Sequence, residues 1–354
     1  MSPDADRRSE AHQGREAAAG AGDGRRRGAK RRGNGGGEQS MVPEAEFTSY
    51  YGRAVVKASP WEADIPAYLF AGGLAAGSSL LAAGADLTGR EALRRTARLT
   101  AVGALGFSFA ALVHDLGKPS RFLNMMRTVK LTSPMSVGTW ILATYGPFAG
   151  AAAAAELVGM LPGKRRRGPL RLLSALGRPA GLVAGLTAPP VAAYTAVLLA
   201  DTATPSWHEA YRELPFVFVG SAAAAAGGMG MVTAPRDQAG PARRLALGGA
   251  LADLAMEQQM ERSMGITAEP LHEGKAGRLM KAAKVLTVAG AAGSLLSGRS
   301  RTLSVVSGAA LVAGSVCTRF GIFEAGQASA RDPKYTVVPQ RERLARGEPI
   351  RHRG

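Results

Sequence analysis

The sequence predicts an all-α polytopic integral membrane protein, a bundle of about eight transmembrane helices, and three observations carry that prediction. First, uncharged apolar stretches recur at membrane length: 66–85 (PAYLFAGGLAAGSSLLAAGA), 179–200 and 214–234 hold no formal charge. A hydrocarbon core of about 30 Å takes about 20 helical residues to cross. Second, short basic loops separate these stretches, which makes neighbouring helices antiparallel. Third, the net charge of +17 and the mean hydropathy of −0.00 are averages over a polar tail and apolar spans. Basic residues gathered in a tail and at the ends of apolar segments are topology signals, so the charge does not imply a nucleic-acid partner.

Residues 1–40 hold almost no large apolar side chain. They cannot bury enough surface to offset ordering entropy, so a disordered basic tail is expected. The run Arg25-Arg26-Arg27-Gly28-Ala29-Lys30-Arg31-Arg32 resembles a targeting sequence only loosely, because no apolar segment with a cleavage site follows at the right distance. Met41 opens a different texture and is a candidate true start. Residues 41–65 read as an amphipathic lead-in.

The membrane domain is expected over 66–322, with helices at about 66–85, 97–115, 135–160, 179–200, 214–234, 243–260, 279–298 and 301–322. The sixth holds Asp253 and Glu257 and the seventh Lys281 and Lys284, so seven spans is the competing count. Residues 323–354 are expected to form an extramembrane C-terminal tail. Arg90, Arg94, Arg95 and Arg98, then Lys164 to Arg167 with Arg171 and Arg178, then Arg236, Arg243 and Arg244, fall on one side of such a bundle. Positive-inside reasoning puts that side in the cytoplasm and both termini outside, although the 116–134 and 261–284 loops are also basic. The pairs Gly73/Gly77, Gly146/Gly150 and Gly181/Gly185 place small residues one turn apart for close helix packing. Trp61, Tyr68, Trp140 and Trp207 lie near expected span ends, where amphipathic rings favour the headgroup level.

The residue inventory argues against a metal held by this chain. Cys317 is the single cysteine, whereas an iron–sulfur cluster needs about four thiolates. Of five histidines, His12 and His352 lie in tails, His208 and His272 in loops, and His114 alone ends a span. A transmembrane haem with two histidine ligands has no second histidine at that depth, and a His-Asp phosphohydrolase centre needs several more.

Three polar groups remain as candidates. His114 and Asp115 close the second span and open the segment His114-Asp115-Leu116-Gly117-Lys118-Pro119-Ser120-Arg121-Phe122-Leu123-Asn124. Gly117 and Pro119 end a helix there, and Asp115 can pair with Lys118 or Arg121. An imidazole and a carboxylate at the membrane edge also suit proton exchange with a carrier head group. Tyr194 and Thr195 follow the helix-bending Pro189-Pro190 pair, where a Tyr hydroxyl can reach a quinone carbonyl or simply sit at the interface. Asp253 and Glu257, spaced i, i+4, share one face of the sixth span, Asp253 roughly 13 Å deep. A carboxylate at that depth is either a proton relay or the partner of an arginine such as Arg319.

With these residues in view, the chain resembles the NrfD/PsrC family, the membrane anchor subunits of polysulfide-reductase-like molybdopterin oxidoreductases. The likeness rests on YLFAGGLAAGSSLLAAGAD at 68–86, the HDLGKPSRFLNMMR segment, SPMSVGTW at 133–140, YTAVLL at 194–199 and the closing ASARDPKYTVVPQRER, and it covers about 41–340. The resemblance implies an anchor in the cell membrane with no haem and no iron–sulfur cluster of its own. Its implied partners are a four-cluster ferredoxin-like iron–sulfur subunit and a molybdopterin catalytic subunit, formate-dehydrogenase-like or polysulfide-reductase-like. It implies menaquinone bound near the docking side, with His114 and Asp115 as catalytic residues. His114, Tyr194 and Thr195 then contact quinone, and Lys118, Arg121, Asn124 and Arg127 are the docking candidates; Asp253 and Glu257 stay the proton-relay candidates that their depth and spacing suggest. The basic tail before Met41 has no counterpart in that pattern. A secondary transporter and a structural anchor without a redox role are the alternatives, although the two halves show no convincing repeat.

Overall fold

The computed structural model describes residues 54–116, 126–127, 129–162 and 168–347. The tail over 1–40, Met41 and most of the lead-in lie outside the described residues, as do Lys118, Arg121 and Asn124. All regular structure among the described residues is helical. The helices are α1 (Asp64–Leu87), α2 (Glu91–Asp115), α3 (Pro134–Gly159), α4 (Pro169–Ala200), α5 (Pro205–Glu209), α6 (Leu214–Thr233) and α7 (Gly240–Ser263). A 3-10 segment (Gly265–Leu271) leads to α8 (Gly274–Leu296), α9 (Arg301–Arg331) and α10 (Lys334–Ala345).

Proline sets many of the starts. Five helices, α3 to α7, carry proline at their first or second position, where the missing N–H costs nothing and φ is already helical. Gly89 takes φ 67°, and this left-handed residue lets α2 begin directly after α1. Among the described residues, seven helices are long and apolar enough to cross a membrane. The eighth long helix, α7, is the expected sixth span; it matches the others in length but carries Asp253, Glu257 and Glu261. The last long helix does not stop at 322 but continues to Arg331, and α10 follows, so much of the expected C-terminal tail is helical.

Side-chain contacts define two ends of the bundle. At one, the start of α1 meets the end of α2 through Asp64 and His114, and Ser206 of α5 bonds Thr267 and Ser329. At the other, Arg94 and Arg98 of α2 reach Glu156 of α3, and Arg301 donates to the carbonyls of Met231, Val232 and Ala234 at the end of α6. Arg301 thus satisfies carbonyls that a helix terminus leaves open. We refer to these as the His114 end and the Arg98 end.

α1 and α6 are the most enclosed spans, as their alanine and glycine content allows. A Cβ on Gly77 would lie 2.7 Å from Ala226 Cβ and 2.8 Å from the Ala222 carbonyl, so bare backbone is what lets α1 touch α6. Gly185 packs equally close on Ala83. Gly146 and Gly150 do not fit this pattern: the nearest atom to a Cβ at Gly146 is 3.8 Å away, and Gly150 has nothing within 4 Å. A further close seam is one that spacing did not single out, where Gly220 and Gly227 of α6 abut the backbone of Asp253 and Ala246 on α7.

Two aromatic residues expected at the headgroup level are core instead. Trp207 is buried, donates from Nε1 to the Ile322 carbonyl at 2.8 Å and packs on Trp61 and Phe323. Tyr68 is buried as well. The chain folds α5 back against α9, which removes Trp207 from the lipid boundary, while Tyr68 lies between the helices of the bundle.

At the Arg98 end, residues read as loop charges form an internal ion network. Asp86 of α1 lies within 4.0 Å of Arg94, Arg98 and Arg178, and Glu156 within 4.0 Å of Arg94, Arg95 and Arg98. Gly181 of α4 makes room for it, since a Cβ there would collide with the Arg98 guanidinium.

Candidate functional site

A cavity of about 580 Å³ opens between α1, α2, α3 and α4 towards the His114 end. Ile65, Leu105, Leu112, Leu142 and Leu198 supply apolar wall from all four helices. Phe109 and Met135 line it too and are partly exposed, so the cavity communicates with the outer face of the bundle.

The polar groups in this wall are unequally committed. Ser108 Oγ donates to the Tyr68 carbonyl at 3.1 Å and Thr139 Oγ1 to the Met135 carbonyl at 2.9 Å. The Tyr194 hydroxyl, by contrast, is buried and has no hydrogen-bond partner among the described residues. Asp115, the last residue of α2, lines the same space. Pro147 within α3 also lines it and has no N–H to return to the carbonyl of Ala143, another wall residue. An apolar cavity with an orphaned phenol and a carboxylate fits a flat, mostly apolar ligand bearing hydrogen-bonding oxygens.

The position of Tyr194 is set by a neighbour. A Cβ on Gly138 of α3 would fall 2.4 Å from Tyr194 Cε2, so the ring rests on bare backbone. Below it, Ser79 and Tyr145 share a 2.8 Å hydrogen bond, and the Tyr145 hydroxyl donates to the Ala75 carbonyl at 2.9 Å. These buried bonds tie α3 to α1 beneath the cavity.

The candidates from sequence divide accordingly. Asp115 and Tyr194 come together in one cavity. His114 does not line it: its side chain is 80% exposed and its Nδ1 sits 2.8 Å from Asp64 Oδ2. Thr195 is buried but returns its hydroxyl to the Ala192 carbonyl at 3.3 Å and is not in the cavity wall. Arg127 is exposed, near the His114 end. Tyr68, Gly138 and Pro147 went unselected, although the SPMSVGTW motif pointed at Gly138.

Asp253 and Glu257 lie on α7, which contributes nothing to the cavity wall. Both are buried. Glu257 Oε1 is 3.7 Å from Lys284 Nζ, which is also 3.7 Å from Glu261 Oε1, and His272 Nε2 is 4.0 Å from Glu261. Arg319 of α9 is fully buried; its Nη2 donates to the Phe218 carbonyl at 2.7 Å and its guanidinium stacks 3.8 Å from the Phe218 ring centre. Arg319 and Asp253 attract through space, yet no ion pair within 4.0 Å joins them among the described residues. Asp253 Oδ1 and Arg319 Nε and Nη1 have no hydrogen-bond partner among the described residues. Among the described residues, no three His, Cys, Asp or Glu side chains are grouped as a metal would require.

Fold and site together define a multi-pass membrane subunit with an amphiphilic cavity at one end of an all-α bundle. The family model described as "Polysulphide reductase, NrfD" matches residues 54–241, more than half of the 354-residue chain, and the protein belongs to the NrfD family. Members are membrane anchor subunits of polysulfide-reductase-like oxidoreductases. No curated protein matches the chain.

Proposed function

We propose that this chain binds menaquinone in the α1–α4 cavity and exchanges its electrons with an iron–sulfur subunit docked at the His114 end. The observation that carries the reading is the buried, unpartnered hydroxyl of Tyr194, a residue that lines the same apolar cavity as Asp115. A quinone reduced to quinol takes up two electrons and two protons. Asp115 exchanges a proton at the cavity mouth, and Tyr194 Oη holds a quinone oxygen by hydrogen bond. Phe109 and Met135, where the cavity meets the outer face, give an isoprenoid tail its way into lipid. His114, held by Asp64, passes protons between solvent and Asp115 rather than touching the ligand.

Those electrons are exchanged with a ferredoxin-like subunit, itself joined to a molybdopterin catalytic subunit, with Lys118, Arg121, Asn124 and Arg127 as docking contacts. The His114 end then faces out of the cytoplasm, and the Arg98 end faces in, as its arginines direct. Asp253 and Glu257 form a separate proton relay, leading from buried Asp253 through Glu257, Lys284 and Glu261 towards exposed His272.

Extraction of the native assembly in mild detergent tests the reading. Co-purification of an iron–sulfur and a molybdopterin subunit with stoichiometric menaquinone is expected. A lone chain free of quinone would favour a transporter, and intact partners without quinone a structural anchor. Within the cavity, Gly138→Ala pushes a methyl into the Tyr194 ring. Displacing that ring by about an ångström should cost on the order of a hundredfold in quinone-coupled turnover. Steady-state kinetics on assembled complex checks this, and unchanged turnover would remove Tyr194 from the binding site.

A further inference from the structure

The ion network at the Arg98 end is short of negative charge. Four guanidiniums, on Arg94, Arg95, Arg98 and Arg178, face two carboxylates, on Asp86 and Glu156. The side chains of Asp86, Glu156 and Arg98 are each 6% exposed. Among the described residues, Arg98 Nε and Nη2 and Arg95 Nε nevertheless lack a hydrogen-bond partner, as does Asp86 Oδ2 in the same network. Buried guanidinium nitrogens without acceptors are costly, and a surplus of two positive charges makes the deficit electrostatic as well.

The surplus points outward. Arg95 and Arg178 have side chains 43% and 69% exposed, while the carboxylates stay inside. Depth places this patch near the headgroups. α4 has 32 residues, about 48 Å at helical rise, against a hydrocarbon core of about 30 Å. The helix is therefore long enough to reach the headgroup region beyond the hydrocarbon, and Arg94, Arg95 and Arg98 sit in the opening turns of α2. Beside them an apolar skirt remains uncovered: Leu157 and Met160 at the end of α3, and Leu172 and Leu176 on α4, are all exposed. Arginines that served only as topology signals would reach into water singly. Here one is buried in a glycine-lined seat and wired to two acids.

We propose that this cluster binds the phosphate of an anionic phospholipid, whose acyl chains lie on the exposed leucines of α3 and α4. The phosphate supplies acceptors for the open guanidinium nitrogens and offsets the surplus charge. A zwitterionic lipid would bring its own cation and leave that surplus standing.

The test uses the full chain in the assembly that mild detergent extracts. Native mass spectrometry is expected to show a retained anionic phospholipid. After delipidation, mixed micelles with phosphatidylglycerol should raise the thermal midpoint by several degrees, and phosphatidylcholine should not. Arg95→Gln with Arg178→Gln should lose the retained lipid and most of the shift, while Arg95→Lys with Arg178→Lys keeps both. Should the double Gln variant aggregate, the single Arg178→Gln must still lose at least half of the lipid. Equal stabilisation by phosphatidylcholine or by inorganic phosphate overturns the proposal, as does undiminished lipid in the Gln variants.

Discussion

Asp115→Asn should lower quinone-coupled turnover on the order of a hundredfold, the scale on which a positioned general acid or base contributes. The complex should still assemble, because the amide keeps the size of the side chain at the end of α2. His114→Ala is expected to do much less, within a few-fold, since His114 lies outside the cavity wall and bonds Asp64. Tyr194→Phe separates binding from proton transfer: it removes one hydroxyl from an otherwise apolar wall and should raise KM for quinone with a smaller change in kcat. Parallel assays with an artificial acceptor on the catalytic subunit distinguish a lost quinone site from a lost enzyme. If Asp115→Asn turned over normally while His114→Ala did not, the imidazole would be the proton-exchanging group and the cavity assignment would move outward to it.

That contrast shows what the sequence exposes and what it hides. Uncharged stretches of membrane length announce several spans directly, and α7 was legible as a helix despite its acids because it keeps the length of the others. Neighbouring residues are harder to sort. His114 and Asp115 read as one unit in a linear motif, yet successive helical side chains point about 100° apart, so one enters the cavity and the other turns to Asp64. Tyr194 and Thr195 part in the same way. Small-residue pairs one turn apart marked two real contacts and one empty one, because spacing says that a helix can be approached but not by what. Tyr68 and Trp207 were assigned by depth alone. Their burial depends on how α1 and α5 dock, which no local pattern encodes. The ion network at the Arg98 end was hidden for a related reason: Asp86 and Glu156 are 70 positions apart, and only the fold brings both to Arg98.

The largest effect on stability should come from Arg319→Met. Arg319 is fully buried on α9, against Gly73 of α1 and over the Phe218 ring, and is the cation that acts on Asp253. Methionine keeps much of the packing while removing the charge. It leaves a buried carboxylate without the cation that attracts it, and an uncompensated buried charge costs up to about 3–5 kcal/mol. The thermal midpoint in detergent should fall accordingly. Asp253→Asn added to Arg319→Met should recover most of the loss, because it removes the charge that the first change exposed. The recovery is the informative quantity, since a coupling energy isolates the pair from the packing around it. It also separates the two roles open to Asp253. A carboxylate that serves only Arg319 is dispensable once Arg319 is gone, so the double variant should turn over like the native complex. A carboxylate that relays protons is not dispensable, and the double variant would then be stable but slow. The unpartnered Asp253 Oδ1, and the row from Glu257 to His272 beyond it, favour the second outcome. An acid placed only to balance Arg319 would close hydrogen bonds with it, and Asp253 makes none to Arg319 among the described residues.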